Sequence, residues 1–234
     1  MSVVKNKNGR GILLAMVHAI QQNKQLLGDV DGLIGDGDHG MNMNKGFTLY
    51  EEQLGDQDTS LSDGLFDLGS VLLNKIGGSM GPIYGTIFME MSSVIEDVED
   101  ITLETFSEML RSGLDGLYEI VDARPGDKTL VDTLYPVCQY VREAANAQTD
   151  FSAALEEMKQ VAEQGKQSTK DLTAKYGRAA RLGERSRGTE GDRPLQKRWD
   201  RPDPMYSSRS GASEFRDQRG HHGGRDRAPW GTGH

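Results

Sequence analysis

The chain has 234 residues, with 36 acidic against 27 basic side chains and a formal net charge of -9 at pH 7. That balance argues against a nucleic-acid binder, which needs a surplus of Lys and Arg to neutralise phosphates. The single cysteine, Cys138, excludes an internal disulfide framework and reads as a buried thiol in an apolar helical pattern.

Leu13, Val17, Ile20 and Leu27 recur at helical spacing and predict a first helix over residues 11–27, ending where Gly28 opens an acidic stretch. A short helix over roughly 43–54 leads to a polar connection at 55–60. Leu61, Leu65, Leu68, Leu72 and Ile76 form the next stripe, interrupted by Gly77-Gly78-Ser79-Met80-Gly81-Pro82. Pro82 is placed at the first position of a helix carrying Ile83, Ile87, Met91, Ile95 and Val98. Met89 and Met91 read as core filler, and the acidic run 96–100 as a solvated turn.

Leu103, Phe106, Leu110, Leu117 and Val121 predict a further helix. After the loop Arg124-Pro125-Gly126-Asp127-Lys128-Thr129 comes one bearing Leu130, Leu134, Val137 and Val141. Asp150 is positioned to cap the helix of Phe151, Leu155, Met158 and Val161. Ser168 and Asp171 have the spacing of a capping box before Leu172 and Tyr176. No segment alternates with period two. The expected body is therefore all-α, with seven or eight antiparallel helices on short loops. No stretch has the length of a membrane span and no signal-peptide core is seen, so a cytoplasmic protein with no membrane contact is expected. The helical domain is assigned to residues 1–188. Residues 189–234 are rich in Gly, Arg, Asp and Ser and are expected to be a disordered tail, with His221 and His222 exposed in it.

The stretch from Val30 to Asn42 concentrates the chemistry. Asp31, Asp36 and Asp38 stand with His39, Asn42 and four glycines within thirteen positions. An EF-hand loop beginning at Asp29 would put Leu33 at its fifth ligand position, and one beginning at Asp36 would put Phe47 at its twelfth. A Walker loop is also absent, since no Gly-Lys-Ser/Thr follows a glycine run. What remains is a carboxylate trio suited to magnesium, which takes its other ligands from water and substrate phosphates. In an up-down bundle the loops at 28–42, 76–82 and 123–129 converge at one rim. The second loop then presents the amides of Ser79, Met80 and Gly81 at a helix start, where phosphate is favoured.

These segments resemble a known family. Ile34-Gly35-Asp36-Gly37-Asp38-His39-Gly40, Gly77 through Thr86, Pro125-Gly126-Asp127-Lys128-Thr129, Tyr176-Gly177-Arg178-Ala179 and Leu182-Gly183-Glu184-Arg185-Ser186 are similar, in order, to the nucleotide-binding L subunit of dihydroxyacetone kinase. The resemblance covers roughly residues 5–188. It implies an eight-helix antiparallel barrel with an ADP site at one end and two magnesium ions on Asp31, Asp36 and Asp38. It further implies nucleotide contacts from His39, Gly40, Met41, Asn42, Ser79, Met80, Gly126, Leu130 and Arg178. No catalytic side chain is implied.

By the same resemblance the resident ADP is phosphorylated by a phosphohistidine carrier of the sugar phosphotransferase system. The γ-phosphoryl then passes to dihydroxyacetone on a separate K subunit. The chain departs from the family after Ser186, where an Asp-Pro-Gly or Asp-Ala-Gly segment is expected and Asp192 stands one position late. The competing expectations are a non-catalytic adaptor whose nucleotide state governs binding to a regulator, and a plain divalent-cation-binding helical protein.

Overall fold

The apolar stripes become seven α-helices in the computed structural model, which describes residues 2–188. They are α1 (Gly9–Ile34), α2 (His39–Leu54), α3 (Leu61–Lys75), α4 (Met80–Val94), α5 (Leu103–Ile120), α6 (Val131–Asn146) and α7 (Phe151–Ser168). Short 3-10 turns at Asn6–Asn8 and Thr169–Asp171, and a longer 3-10 stretch at Arg178–Ser186, complete the helical content. Consecutive helices pack on one another, and their short connections make neighbours antiparallel. The all-α expectation holds. Among the described residues, no helix is long and apolar enough to cross a membrane. The tail at 189–234, with His221, His222 and Asp192, lies outside the described residues.

The first helix corrects the expectation most. It does not stop at Gly28 but continues to Ile34, so Asp31 lies inside its last turn rather than in a loop. Glycine inside a helix costs about 1 kcal/mol relative to alanine, which is why a local reading ends the helix there. The tertiary structure accounts for the glycines differently. A Cβ at Gly40 would lie 1.8 Å from the Lys24 carbonyl oxygen and 2.7 Å from the Gly28 nitrogen, so the start of α2 lies directly against the α1 backbone. That contact also explains why α2 begins at His39 instead of near residue 43.

Smaller differences follow local chemistry. Helix α4 begins at Met80, and Pro82 is its third residue rather than its first. A proline fits there because the first-turn amides have no helical acceptor. The capping box at Ser168 and Asp171 does not form. Ser168 ends α7, its hydroxyl donates to the Gly165 carbonyl at 2.8 Å, and Leu172 is extended. Asp150 caps α7 as expected, accepting the amides of Ser152 at 3.0 Å and Ala153 at 3.2 Å.

The largest apolar cluster joins Leu13 and Val17 of α1, Phe47 and Tyr50 of α2, and Leu65, Leu68 and Leu72 of α3. A second joins α5, α6 and α7 through Leu110, Leu114, Val137, Val141 and Phe151. Cys138 is buried in it, as expected. A third, with Ile83, Leu117, Val121 and Val131, lies beneath the α5–α6 connection.

One end of the bundle is fastened by polar contacts. Strand β1 (Val4–Lys5) pairs antiparallel with β2 (Asp100–Ile101). The buried Asn6 amide donates to the carbonyls of Ile95 at 2.7 Å and Val98 at 2.8 Å, and its oxygen accepts the Ser62 amide at 3.0 Å. The opposite end carries the connections with unusual chemistry.

Candidate functional site

Asp31, Asp36 and Asp38 come together between α1 and α2, each offering a carboxylate oxygen within 4.8 Å of the others. Asp31 is 1% exposed, Asp38 half-buried and Asp36 exposed, so the group runs from the protein interior to the surface. Helical geometry supplies Asp31, and the four-residue turn 35–38 returns the other two. Gly35 is required at this turn, because a Cβ there would sit 2.2 Å from Asp31 Oδ1. The Asp38 carboxyl is pushed above the usual range by burial and then by the charge of Asp31, against hydrogen bonding from Asn42 and from backbone. Mutual repulsion of this kind is relieved when a cation draws the oxygens together.

His39 is 2% exposed. Its backbone amide donates to Asp31 Oδ2 at 3.4 Å, and its Nε2 lies 3.5 Å from the Tyr84 hydroxyl. Burial pushes its imidazole below the ordinary histidine value, although Asp31 pulls the other way. The Nδ1 atom has no hydrogen-bond partner among the described residues. Gly40 is buried in the α1 contact, Asn42 is half-buried, and Met41 is 74% exposed beside the acidic turn. Tyr84 ties this region to the beginning of α4. Ser79 and Met80 lie there, both buried, with Ser79 at the N-cap position and making no side-chain cap. The first amides of α4 thus keep their capacity to bind an anion.

The α5–α6 connection is organised by three charged side chains, all buried. Asp132 accepts the Gly126 amide at 2.5 Å and the Thr129 amide at 2.7 Å. Asp127 accepts the Arg124 amide at 2.8 Å and pairs with Lys175 at 2.5 Å. Lys128, at φ 60°, donates to the Thr169 carbonyl at 2.6 Å, and burial holds its ammonium below the usual lysine range. Gly126 and Leu130 are half-buried on this loop.

The C-terminal segment joins the loops. It is tied to the α5–α6 connection through Lys175 and Thr169, and Ala174, Ala179 and Leu182 then pack on Ile34 at the end of α1. Arg178 forms an ion pair with Asp36. The structure therefore brings Asp31, Asp36, Asp38, His39 and Arg178 into one connected set. Ser79 and Met80 are linked to it through Tyr84, and Gly126 and Leu130 through Asp127 and Lys175. Tyr84, Asp132 and Lys175 are functional positions that no motif in the sequence singles out individually. Asp132 was discoverable in principle, as an acidic residue in the first turn of α6 just after a glycine loop.

The chain is similar in sequence to known proteins. The chain is 38% identical over 167 residues to the ADP-binding subunit DhaL of the PEP-dependent dihydroxyacetone kinase of Escherichia coli (strain K12), spanning 70% of this chain and 79% of that protein. It is 38% identical over 170 residues to the corresponding subunit of kinase 1 of Listeria innocua, spanning 72% and 80%. The PTS-dependent kinase subunit DhaL of Lactococcus lactis is 35% identical over 170 residues, again spanning 72% and 80%. The DAK2 domain profile matches residues 33–192, so the turn 35–38 with Asp36 and Asp38, the start of α4, the α5–α6 connection and the Arg178 segment fall inside it, and Asp31 lies just before it. The chain belongs to the DAK2 domain family.

Proposed function

We propose that this chain is the ADP-binding subunit of a phosphoenolpyruvate-dependent dihydroxyacetone kinase, holding ADP and magnesium at the rim formed by the acidic turn. The observation that carries the proposal is the trio Asp31, Asp36 and Asp38, with oxygens within 4.8 Å of one another. Magnesium binds oxygen at about 2.0–2.1 Å, so ligands on opposite sides of one ion lie about 4 Å apart. The carboxylate set fits that requirement after small adjustment. His39, whose buried Nδ1 has no hydrogen-bond partner among the described residues, adds a polar atom consistent with a ligand at this rim.

Asp31, Asp36 and Asp38 would hold the metal, two ions being the expected number. His39, Gly40, Met41, Asn42, Ser79, Met80, Gly126, Leu130 and Arg178 would hold the nucleotide. When bound, magnesium and ADP supply charge neutralisation and a phosphoryl acceptor. The protein's own contribution is positioning: the amides at the start of α4 face phosphate, and Asp132 and Lys128 fix the loop of Gly126 and Leu130. No side chain need act as nucleophile or general base. With Arg178–Ser186 counted as the eighth helical element, the up-down order suits an eight-helix barrel with the site at one end. In this proposal the phosphoryl group arrives from a phosphohistidine carrier and leaves for dihydroxyacetone on a separate K subunit, in the cytoplasm.

Two measurements test it. Mass analysis of small molecules released on denaturing the purified protein should find an adenine nucleotide. Mixing the protein with K subunit, phosphocarrier and dihydroxyacetone should yield dihydroxyacetone phosphate. A nucleotide without product would support the adaptor alternative, and neither would refute the proposal.

A further inference from the structure

Arg178 is committed to Asp36, one of the three clustered carboxylates. The pairing joins a surface arginine on the C-terminal segment to a side chain that a cation would also require. Three carboxylates this close repel one another, and a guanidinium on Asp36 relieves part of that repulsion as a metal ion does. The two therefore draw on the same electrostatic stabilisation. The segment bearing Arg178 is anchored independently of the pair. Ala174, Ala179 and Leu182 pack on Ile34, the Ala174 amide donates to Ser186 Oγ at 2.9 Å, and the Gly188 amide donates to the Lys170 carbonyl at 2.8 Å. Gly177, at φ 69°, immediately precedes Arg178. The guanidinium can thus leave Asp36 while its backbone stays docked.

We propose that Arg178 is an internal competitor for the cation: it occupies Asp36 until magnesium takes that carboxylate, and the released guanidinium then turns to the diphosphate. This rests on the assignment of Asp31, Asp36 and Asp38 to magnesium and of Arg178 to the nucleotide. Competition makes the two ligands cooperative. Magnesium alone is disfavoured by the pair it must break, whereas magnesium with nucleotide regains the arginine in a new contact.

The opposite arrangement, in which Arg178 orients Asp36 for the metal, predicts the opposite sign. Titration calorimetry with magnesium chloride alone separates them, comparing the wild-type protein with Arg178→Gln. Arg181→Gln serves as a control that removes the same charge from the same segment. Arg178→Gln should bind magnesium roughly two- to fivefold more tightly, the scale of an exposed ion pair, with the control unchanged. With magnesium saturating, the same variant should bind ADP roughly tenfold more weakly, as expected for loss of a charge-assisted contact to phosphate. Hydrogen exchange at residues 177–186 should be unchanged by magnesium alone, because the backbone stays docked, and should slow when ADP is added; faster exchange with magnesium alone would overturn the independent anchoring. Unchanged or weaker magnesium binding by Arg178→Gln would overturn the competition while leaving the metal site standing, as would an equal gain in the control. Absence of magnesium binding to all three proteins would overturn both.

Discussion

Asp132 offers a sharp test of how the α5–α6 connection is built. It is 7% exposed, and each carboxylate oxygen accepts a different loop amide, Gly126 at 2.5 Å and Thr129 at 2.7 Å. A hydrogen bond to a charged acceptor contributes about 1.5–3 kcal/mol, and a buried amide left without a partner is penalised on the same scale. Asp132→Ala removes both acceptors and should cost about 3–6 kcal/mol of folding stability. Asp132→Asn keeps one acceptor oxygen and should cost about half as much. Either loss is a large share of the roughly 5–15 kcal/mol that holds a domain together. Urea denaturation followed by far-ultraviolet circular dichroism measures both variants. The expected order is wild type, Asn, then Ala, with similar slopes. If both variants fell within about 0.5 kcal/mol of wild type, the loop would not depend on Asp132 and the reasoning would be refuted.

Three further outcomes are expected. Asp36→Ala should leave the helical circular dichroism intact, since Asp36 is exposed outside any helix, yet abolish retention of ADP by the purified protein; normal retention would refute the assignment of the acidic turn. Gly40→Ala drives a methyl into the Lys24 carbonyl and should destabilise by about 1–3 kcal/mol or more, read as a fall in the thermal midpoint. Burial pushes the Cys138 thiol up to about 12 from its ordinary 9.0, so iodoacetamide at pH 8.5 (about that ordinary value) should label the unfolded chain and leave the native protein nearly untouched. The sign for stability follows from the same shift. Between about 9 and 12 the folded state holds a proton that the unfolded chain has released, so stability should fall as pH rises, by up to about 1.4 kcal/mol per pH unit. Tyr50, pushed up to about 12 by burial and by the charge of Asp67, adds to the same alkaline loss.

The helical body was legible because its information is local. Stripes such as Leu61, Leu65, Leu68 and Leu72 repeat at the helical period, and a cap such as Asp150 acts on amides two and three residues away. Burial of Cys138 followed from its apolar neighbours. The end of α1 was not legible because Gly28 and Gly32 carry opposite meanings at two levels. Locally they break helices, while in the fold they give room to the turn and to α2. The capping-box pattern at Ser168 failed for a related reason: Thr169 is buried beside Lys128, and its carbonyl holds the lysine ammonium. In the candidate site, the density of Asp31, Asp36 and Asp38 pointed to their clustering. The pairing of Arg178 with Asp36 was hidden, because nothing in a linear pattern marks which distant acid an arginine will reach.

Helix α1 runs without interruption from the polar fastening near Asn6 to the last turn bearing Asp31. The rod makes two remote regions share one degree of freedom: where the fastened end sits decides where the acid sits. Sequence drift around Asn6 or Ser62 therefore has a route to ligand affinity that involves no ligand-facing residue. A library of affinity-altering substitutions in this protein should accordingly contain positions at the far end of the bundle as well as at the rim.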